Sequence, residues 1–264
     1  MTKELDHVAD SLERLYEEGS LSDESAALLK DDDQALAIAR GLGDVSSAPE
    51  LLLVSILVDD STSVATNLRE ICFGYDHMVR ALWDDDLAAD VLVLTSLLNR
   101  GVLMPFSHLK TVPSLAKQGY SGARLKPETP LHLQSLLTLG TVMTKARAEE
   151  ERGARVRTFT LIISDAEDNK SGSIQAEHVK AVVTDMLEFA DNHVIYGMGV
   201  GERVDFYQVF GAMGIPNRPP REWVFSAGIG VDELRAKFHE ITRQLRLAAS
   251  SESAFLQLVA GSSS

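Results

Sequence analysis

The sequence is poor in cysteine and has no long apolar run. Cys72 is the only cysteine among 264 residues, so no disulfide can form within the chain. Chains without disulfides are typical of reducing compartments, and we expect a cytoplasmic protein. Residues 1–19 are charged and amphipathic and lack the apolar core of a signal peptide. No apolar run approaches the roughly 18 residues of a membrane helix, which predicts a soluble protein without a membrane partner.

Basic residues are also scarce. The chain carries 25 Lys and Arg against 39 Asp and Glu, a formal net charge of −14. No basic stripe is available to displace counterions from a phosphate backbone, so the composition excludes nucleic acid as the expected partner. An apolar content of 45% over this length predicts one substantial core with a small appended segment.

Strand and helix patterns alternate from residue 50 onward. The strand patterns cover residues 51–58, 91–97, 102–106, 156–164, 193–200 and 223–226, with the third near a sheet edge. The helix patterns cover residues 64–83, 129–152, 174–190, 204–213 and 231–247. This alternation predicts an α/β fold with a doubly wound, mostly parallel six-stranded sheet flanked by helices.

The ends of the chain differ from this alternating region. Residues 1–45 contain three short helical patterns and are predicted to form a helical N-terminal extension, joined by a linker over residues 43–49. Residues 50–249 form the main domain, and residues 250–264 form a C-terminal tail with a weak apolar patch. The extension is expected to pack on the main domain, with docking of a partner as the alternative.

Polar side chains follow two of the predicted central strands. The run LLLVSILV, apolar but for one serine, leads into Asp59, Ser61 and Ser63, and the strand RTFTLIIS leads into Asp165. Ligands collect at the carboxyl ends of strands in open α/β sheets, so these residues are expected to share one crevice. Thr129 is predicted as the N-cap of the helix that starts at the following proline, with its hydroxyl facing the same crevice.

The chemistry of these side chains points to a divalent cation. Carboxylate and hydroxyl oxygens suit Mg²⁺, Mn²⁺ or Ca²⁺ better than zinc or copper. Two neighbouring carboxylates without a cation repel each other and raise one pKa, whereas a cation keeps both ionised. A structural role, in which these polar groups only cap the strand and the next helix, is the alternative.

Together these motifs resemble the metal-ion-dependent adhesion site (MIDAS) of von Willebrand factor type A (vWA) domains. The similarity rests on D-x-S-x-S after the first strand, Thr-Pro-Leu at a helix start and an aspartate after the fourth strand. It extends over residues 50–247, including GMGVG and VFSAGIGVDEL. The resemblance implies a Rossmann-like vWA fold whose metal ligands are Asp59, Ser61, Ser63, Thr129 and Asp165.

The resemblance also implies a function. One coordination position is left to water or to an acidic side chain of a partner, so the chain is expected to be a Mg²⁺-dependent (or Mn²⁺- or Ca²⁺-dependent) protein-binding adaptor or assembly module, not an enzyme. A separate ATPase or a multiprotein complex is the expected kind of partner. The family commonly has glycine after the second aspartate, whereas this chain has Ala166 followed by Glu167 and Asp168, two acids that offer internal ligands.

Two other functions are compatible with parts of the sequence. The first is a Mg²⁺-dependent phosphohydrolase with Asp59 as nucleophile, but such enzymes place a second aspartate two residues later, where this chain has Ser61. The second is a scaffold that binds partners through its N-terminal helices and keeps a purely structural metal site.

Several other motifs have simpler interpretations. A calcium loop beginning at Glu167 fails at its twelfth position, His178, where a carboxylate is needed. The glycines of the GMGVG run, residues 197–201, only loosely imitate a dinucleotide-binding motif, and close backbone packing explains them. The acidic runs 84–86 and 149–151 are interpreted as solvated helix ends.

Overall fold

The computed structural model describes residues 2–83, 89–165, 167–202, 204–228 and 230–261. The acidic run 84–86, Ala166 and the last three residues of the predicted tail therefore lie outside the described residues.

Six strands form the main sheet, in the order β3-β2-β1-β4-β5-β8. Neighbouring strands are parallel except for the β2–β3 pair, which is antiparallel and places β3 at one edge. The strands are β1 (Glu50–Val58), β2 (Asp90–Leu97), β3 (Gly101–His108), β4 (Arg155–Ser164), β5 (His193–Val200), β6 (Asn217–Arg218), β7 (Arg221–Glu222) and β8 (Val224–Ala227), with β6 and β7 forming a separate hairpin. The predicted α/β fold class is confirmed.

Helices cover both faces of this sheet. They are α1 (Thr2–Glu17), α2 (Asp23–Leu29), α3 (Asp32–Ala39), α4 (Leu68–Ala81), α5 (Leu131–Glu150), α6 (Ala176–Phe189), α7 (Phe206–Ala212), α8 (Val231–Ser250) and α9 (Glu252–Ala260). Helix α4 packs against α8, and α5 packs against α6. In the part of the chain that is described, no helix combines the length and apolarity needed to cross a membrane.

The chain direction around β1 explains where a site can form. From β1 the chain goes to β2 on one side, and it later returns to β4 on the other side. Val58 at the end of β1 lies beside Ile163 of β4, so the loops after both strands leave the sheet at the same level. This is the reversal of strand order at which α/β sheets open a crevice.

Helix α7 packs closely on the backbone of β5, the strand next to β4. An added Cβ atom would lie 2.5 Å from the ring of Phe210 at Gly197 and 1.9 Å from the ring of Phe206 at Gly199. Gly201 has open space around it but a φ of 120°, which favours glycine. The packing interpretation is confirmed for Gly197 and Gly199, because α7 can approach β5 only where side chains are missing, and it is wrong for Gly201, where the backbone angle favours glycine.

The N-terminal extension packs on the main domain. Helices α1 and α3 lie against α5, and α2 lies against α6. The Ser22 hydroxyl donates a hydrogen bond of 2.9 Å to Asp185 of α6. The linker pairs with the outer edge of β3, since the Phe106 N–H donates to the Gly41 carbonyl (3.0 Å) and the Asp44 N–H donates to the Phe106 carbonyl (2.6 Å). The extension thus covers a sheet edge that would otherwise expose unpaired backbone groups.

Two features of the fold differ from the sequence analysis. The C-terminal segment contains the helix α9, in which Phe255 is 1% exposed and lies beneath the Arg157 guanidinium. The interpretation of residues 149–151 as a solvated helix end is wrong for Glu149, which is fully buried. Its carboxylate accepts a hydrogen bond of 2.6 Å from Lys145, one helical turn earlier, so the charge is paired inside the protein.

A buried histidine at the start of β5 makes the stability of the fold sensitive to acid. The Nδ1 atom of His193 lies 2.7 Å from the Thr158 hydroxyl, and burial lowers the pKa of His193 to about 4. An unfolded histidine has a pKa of about 6.5, so between these values the unfolded chain binds a proton that the native chain does not. The stability that the neutral ring maintains is therefore lost as the pH falls below about 6.5.

We expect this loss to be measurable. Between pH 7 and pH 5 the free energy of unfolding of the wild type should fall by about 2 kcal/mol more than that of His193→Gln. Urea unfolding of both proteins at each pH checks this. Because the carboxylates titrate in both proteins, only the difference between the two pH dependences reports on His193, and equal dependences would contradict the assignment.

Candidate metal-binding site

Asp59 is the first residue after β1 and is held from several sides. Its side chain is fully buried, and both carboxylate oxygens accept hydrogen bonds. The donors are the Ser61 N–H (2.7 Å), the Ser164 hydroxyl (2.9 Å) and the Asp165 N–H (3.2 Å). Burial raises the pKa of Asp59, while these hydrogen bonds lower it. The carboxylate therefore has a fixed orientation at the end of the strand.

Ser61, Ser63 and Asp165 form a connected group beside it. The Ser61 and Ser63 hydroxyl oxygens lie 2.8 Å apart, and the Ser63 hydroxyl donates a hydrogen bond of 2.8 Å to Asp165 Oδ1. Burial and the nearby charge of Asp59 raise the pKa of Asp165 to about 6. Two carboxylates from neighbouring strand ends thus face each other with two hydroxyls, and Ser63 reaches the surface.

Thr129 is placed differently from the prediction. Helix α5 begins at Leu131 with Pro130 at the N-cap position, so Thr129 is not the N-cap. Its N–H donates to the Asn169 side chain (2.7 Å), and its carbonyl accepts from the Asn169 N–H (3.1 Å). Among the described residues, none hydrogen-bonds to the buried Thr129 hydroxyl. The structure brings together four of the five predicted ligands, and the role of all five as metal ligands remains a prediction.

The sequence suggests that the acids after Asp165 are internal metal ligands, but Asp168 has another role. Asp168 accepts a hydrogen bond of 2.8 Å from the His132 N–H, and the Ser171 hydroxyl accepts one of 2.8 Å from the Leu133 N–H. Burial opposes the charge of Asp168, but hydrogen bonds from Ser171 and His132 lower its pKa. Asp168 thus satisfies the His132 N–H at the start of α5, as a helix cap does, while Glu167 is exposed.

This capping role predicts a clear difference between the two acids. Asp168→Ala should lower the free energy of unfolding by about 1–2 kcal/mol, because the His132 N–H at the start of α5 and the N–H groups of Lys170 and Ser171 lose their acceptor. Glu167→Ala, the matched control two positions after Asp165, should change it by less than about 0.5 kcal/mol. Urea unfolding at pH 7 measures both. Equal effects of the two substitutions would rule out the cap.

Further residues position the loop after β1 and were not singled out from the sequence. Asp60 is fully buried and accepts hydrogen bonds from the Asn99 N–H (2.7 Å) and from Arg100 Nε (3.0 Å). The Tyr120 hydroxyl donates to the Asp59 carbonyl at 2.7 Å. The Asn99 amide also donates to the Glu128 carbonyl at 2.8 Å, which ties the segment before Thr129 to the same loop. The only sequence signal was the adjacent pair of aspartates after the first strand.

Comparison with known proteins gives matches only at the level of structure. No protein-family model matches the sequence, and no curated protein matches it. The pilus adhesin SpaC from Lactobacillus rhamnosus GG, in its open conformation, matches with a TM-score of 0.55 at 10% sequence identity, covering 78% of this chain and 31% of that chain. The fold is similar to that of proteins that contain von Willebrand factor type A domains. Proximal thread matrix protein 1 from the mussel byssus also matches, with a TM-score of 0.46 at 17% identity over 76% of this chain and 46% of that one.

This chain spans less than half of each of the two matched chains, and the low identities compare folds rather than sites. The fold places Asp59, Ser61, Ser63 and Asp165 at the carboxyl edge of its main sheet. Within the described ranges no cluster of three or more His, Cys, Asp or Glu side chains is suited to a metal. The candidate site has two carboxylates, and its other proposed ligands are neutral hydroxyls, so it is not a cluster of this kind.

Proposed function

We propose that this vWA domain is a divalent-cation-dependent protein-binding module. Mg²⁺, or Mn²⁺ or Ca²⁺, would be held by Asp59, Ser61, Ser63, Thr129 and Asp165, and an acidic side chain of a partner protein would complete the site. The single observation that supports this most is the hydrogen-bonded contact between Ser63, from the loop after β1, and Asp165, from the loop after β4. All these donors are hard oxygens, which are the ligands that such cations prefer.

Asp59 and Ser63 would have different roles at the site, because one is buried and the other is exposed. Asp59 is fixed by its three hydrogen-bond donors and points away from solvent, whereas Ser63 is exposed. A partner carboxylate would therefore approach from the side of Ser63. A bound cation supplies an electrophilic centre that accepts one further oxygen ligand. Because the hydroxyls are neutral, they add no negative charge to that of the two aspartates, so the cation stays electrophilic enough to accept an additional anionic ligand.

The enzymatic alternative has less support from the site. A phosphohydrolase with Asp59 as nucleophile needs a carboxylate oxygen that can reach the substrate. Here Asp59 is fully buried and both of its oxygens accept hydrogen bonds, so a bulky phosphate ester has no path to them, whereas a small cation can be held by this carboxylate directly or through water. We therefore propose a non-enzymatic adaptor or assembly subunit, acting in the cytoplasm with a separate ATPase or within a multiprotein complex.

Two measurements test this proposal. Isothermal titration of the purified full chain with MgCl₂, MnCl₂ and CaCl₂ should show one binding site, with none for Mg²⁺ in the presence of excess chelator. Affinity purification with the tagged chain should then recover a partner in Mg²⁺ and lose it in EDTA. Absence of binding to all three cations, or recovery of the same partner at equal yield in EDTA, would contradict the proposal.

Point substitutions separate this function from the scaffold alternative better than deletion of the extension. Removing residues 1–45 would uncover the edge of β3 at Phe106 and disturb the fold itself. Ser63→Ala is exposed and leaves the packing intact, so a loss of partner recovery with this variant points to the cation site and not to the N-terminal helices.

A further inference from the structure

A separate cavity lies where the N-terminal extension meets the main domain. Its volume is about 680 Å³, and it is bounded by α1, α3, the linker, β3 and α5. We call it the junction cavity and define it by Leu36, Arg40, Val45, Pro105, Lys145 and Arg152. It includes none of the proposed metal ligands. Cavities of this size, mostly apolar with a few polar groups, are typical of sites for small molecules.

The floor of the junction cavity is apolar and open to solvent. Leu36 comes from α3, Val45 from the linker and Pro105 from β3. Val45 is 50% exposed, and Pro105 is exposed as well. An apolar ligand that covered these side chains would remove their surface from water, which is favourable in proportion to the area covered.

The charges around this floor all have one sign. Arg40, Lys145 and Arg152 line the junction cavity, and no acidic side chain of the described residues does, although acids outnumber bases in the chain by 39 to 25. The Lys145 ammonium is held by the Glu149 carboxylate and the Asp44 carbonyl. Arg152 lies 3.4 Å from the same carboxylate.

Arg40 differs from these two bases. It is exposed at the end of α3, and its guanidinium has no ion pair or hydrogen bond with any described residue. A guanidinium binds a carboxylate through two parallel hydrogen bonds, which gives both strength and orientation. Arg40 is thus the cation with free capacity for an anionic ligand beside the apolar floor.

The edge of β3 argues against an extended peptide as the ligand. A peptide that adds to a sheet edge needs unpaired backbone groups along that edge. At Phe106, beside the junction cavity, both backbone groups are already paired, one with Gly41 after α3 and one with Asp44 of the linker. Affinity must therefore come from apolar contact and charge, and these are the two features of a small amphipathic acid.

We propose that the junction cavity binds a small molecule with an aliphatic body and a carboxylate, the carboxylate at Arg40 and the chain over Leu36, Val45 and Pro105. This site is independent of the cation site and of the function proposed for it.

Octanoate is a suitable probe, and octan-1-ol is its uncharged match. Isothermal titration and ¹H–¹⁵N NMR of the full chain should show one site for octanoate, with shifts confined to residues 36–45, 104–106 and 145–152. Octan-1-ol and the Arg40→Gln variant should each weaken binding about tenfold, because either change removes the charged hydrogen bonds. Binding should be the same with and without EDTA, which separates this test from the cation proposal.

A pair of valine substitutions provides the control. Val45→Glu places a negative charge in the junction cavity and should abolish octanoate binding, whereas Val231→Glu makes the same change at an equally exposed valine on α8 and should leave the affinity unchanged. No octanoate binding, equal affinity for octan-1-ol, or equal loss in the two valine variants would overturn the proposal. Binding only of a peptide of alternating leucine and glutamate would also overturn it and would identify a protein partner instead.

Discussion

Asp165→Asn is expected to abolish binding of Mg²⁺ while leaving the metal-free protein at least as stable as the wild type. The asparagine keeps the size of the side chain, but it removes a negative charge that lies beside Asp59. In the metal-free protein that charge is unfavourable, since burial and Asp59 raise the pKa of Asp165 to about 6. The same charge becomes favourable only when a cation lies between the two carboxylates.

The expected loss of affinity is large. Residues that merely orient a metal ligand are worth about 10- to 100-fold in affinity, so the loss of a charged ligand should exceed about 100-fold. Isothermal titration with MgCl₂ measures the affinity, and thermal unfolding in EDTA and in Mg²⁺ measures the stability. The melting temperature of the wild type should rise with Mg²⁺, and that of Asp165→Asn should not.

Asp168→Ala is the control for this experiment. It removes a carboxylate three residues away that caps α5, so it should lower the stability in both conditions and keep the increase of melting temperature with Mg²⁺. If Asp165→Asn retained the Mg²⁺ response, or if Asp168→Ala lost it, the assignment of the ligands would be wrong.

The sequence predicted those features that depend on local pattern. The run from residue 50 to Val58 is buried along almost its whole length because the sheet has helices on both faces, and a run of branched apolar residues is typical of such a strand. The position of Asp59 and Asp165 followed from the rule that parallel strands end together. The register of Val58 beside Ile163 confirms that this inference about their neighbourhood was sound.

Features that depend on partners distant in sequence were not predicted. The sequence analysis did not single out Asp60, which is buried because Asn99 and Arg100 from the turn after β2 satisfy both of its oxygens. Thr129 is not the N-cap, because Asp168 and Ser171 from the loop after β4 satisfy the first N–H groups of α5. In both cases the contact that decides the structure joins segments more than 30 residues apart. Periodicity and capping rules use only residues that are close in sequence, so they do not predict such contacts.

Glu149→Ala is expected to destabilise the fold more than Asp168→Ala does, by about 3–5 kcal/mol. Glu149 is fully buried and accepts a hydrogen bond of 2.6 Å from Lys145, which is itself only 2% exposed. Removal of the carboxylate leaves a buried ammonium whose remaining partner is the carbonyl of Asp44. Burial already lowers the pKa of Lys145, so the unpaired lysine would favour either its neutral form or opening of the linker.

The double variant Lys145→Met/Glu149→Leu separates the cost of the unpaired charge from the cost of lost packing. It replaces the pair with apolar side chains of similar length, and it should recover most of the stability that Glu149→Ala loses. Glu240→Ala, which removes a partly exposed ion pair on α8, should cost less than about 1 kcal/mol. Urea unfolding measures all three. A double variant as unstable as Glu149→Ala would contradict this expectation. It would mean that the ion pair is needed for the contact of Lys145 with the linker, and that charge rather than apolar packing holds the N-terminal extension to α5.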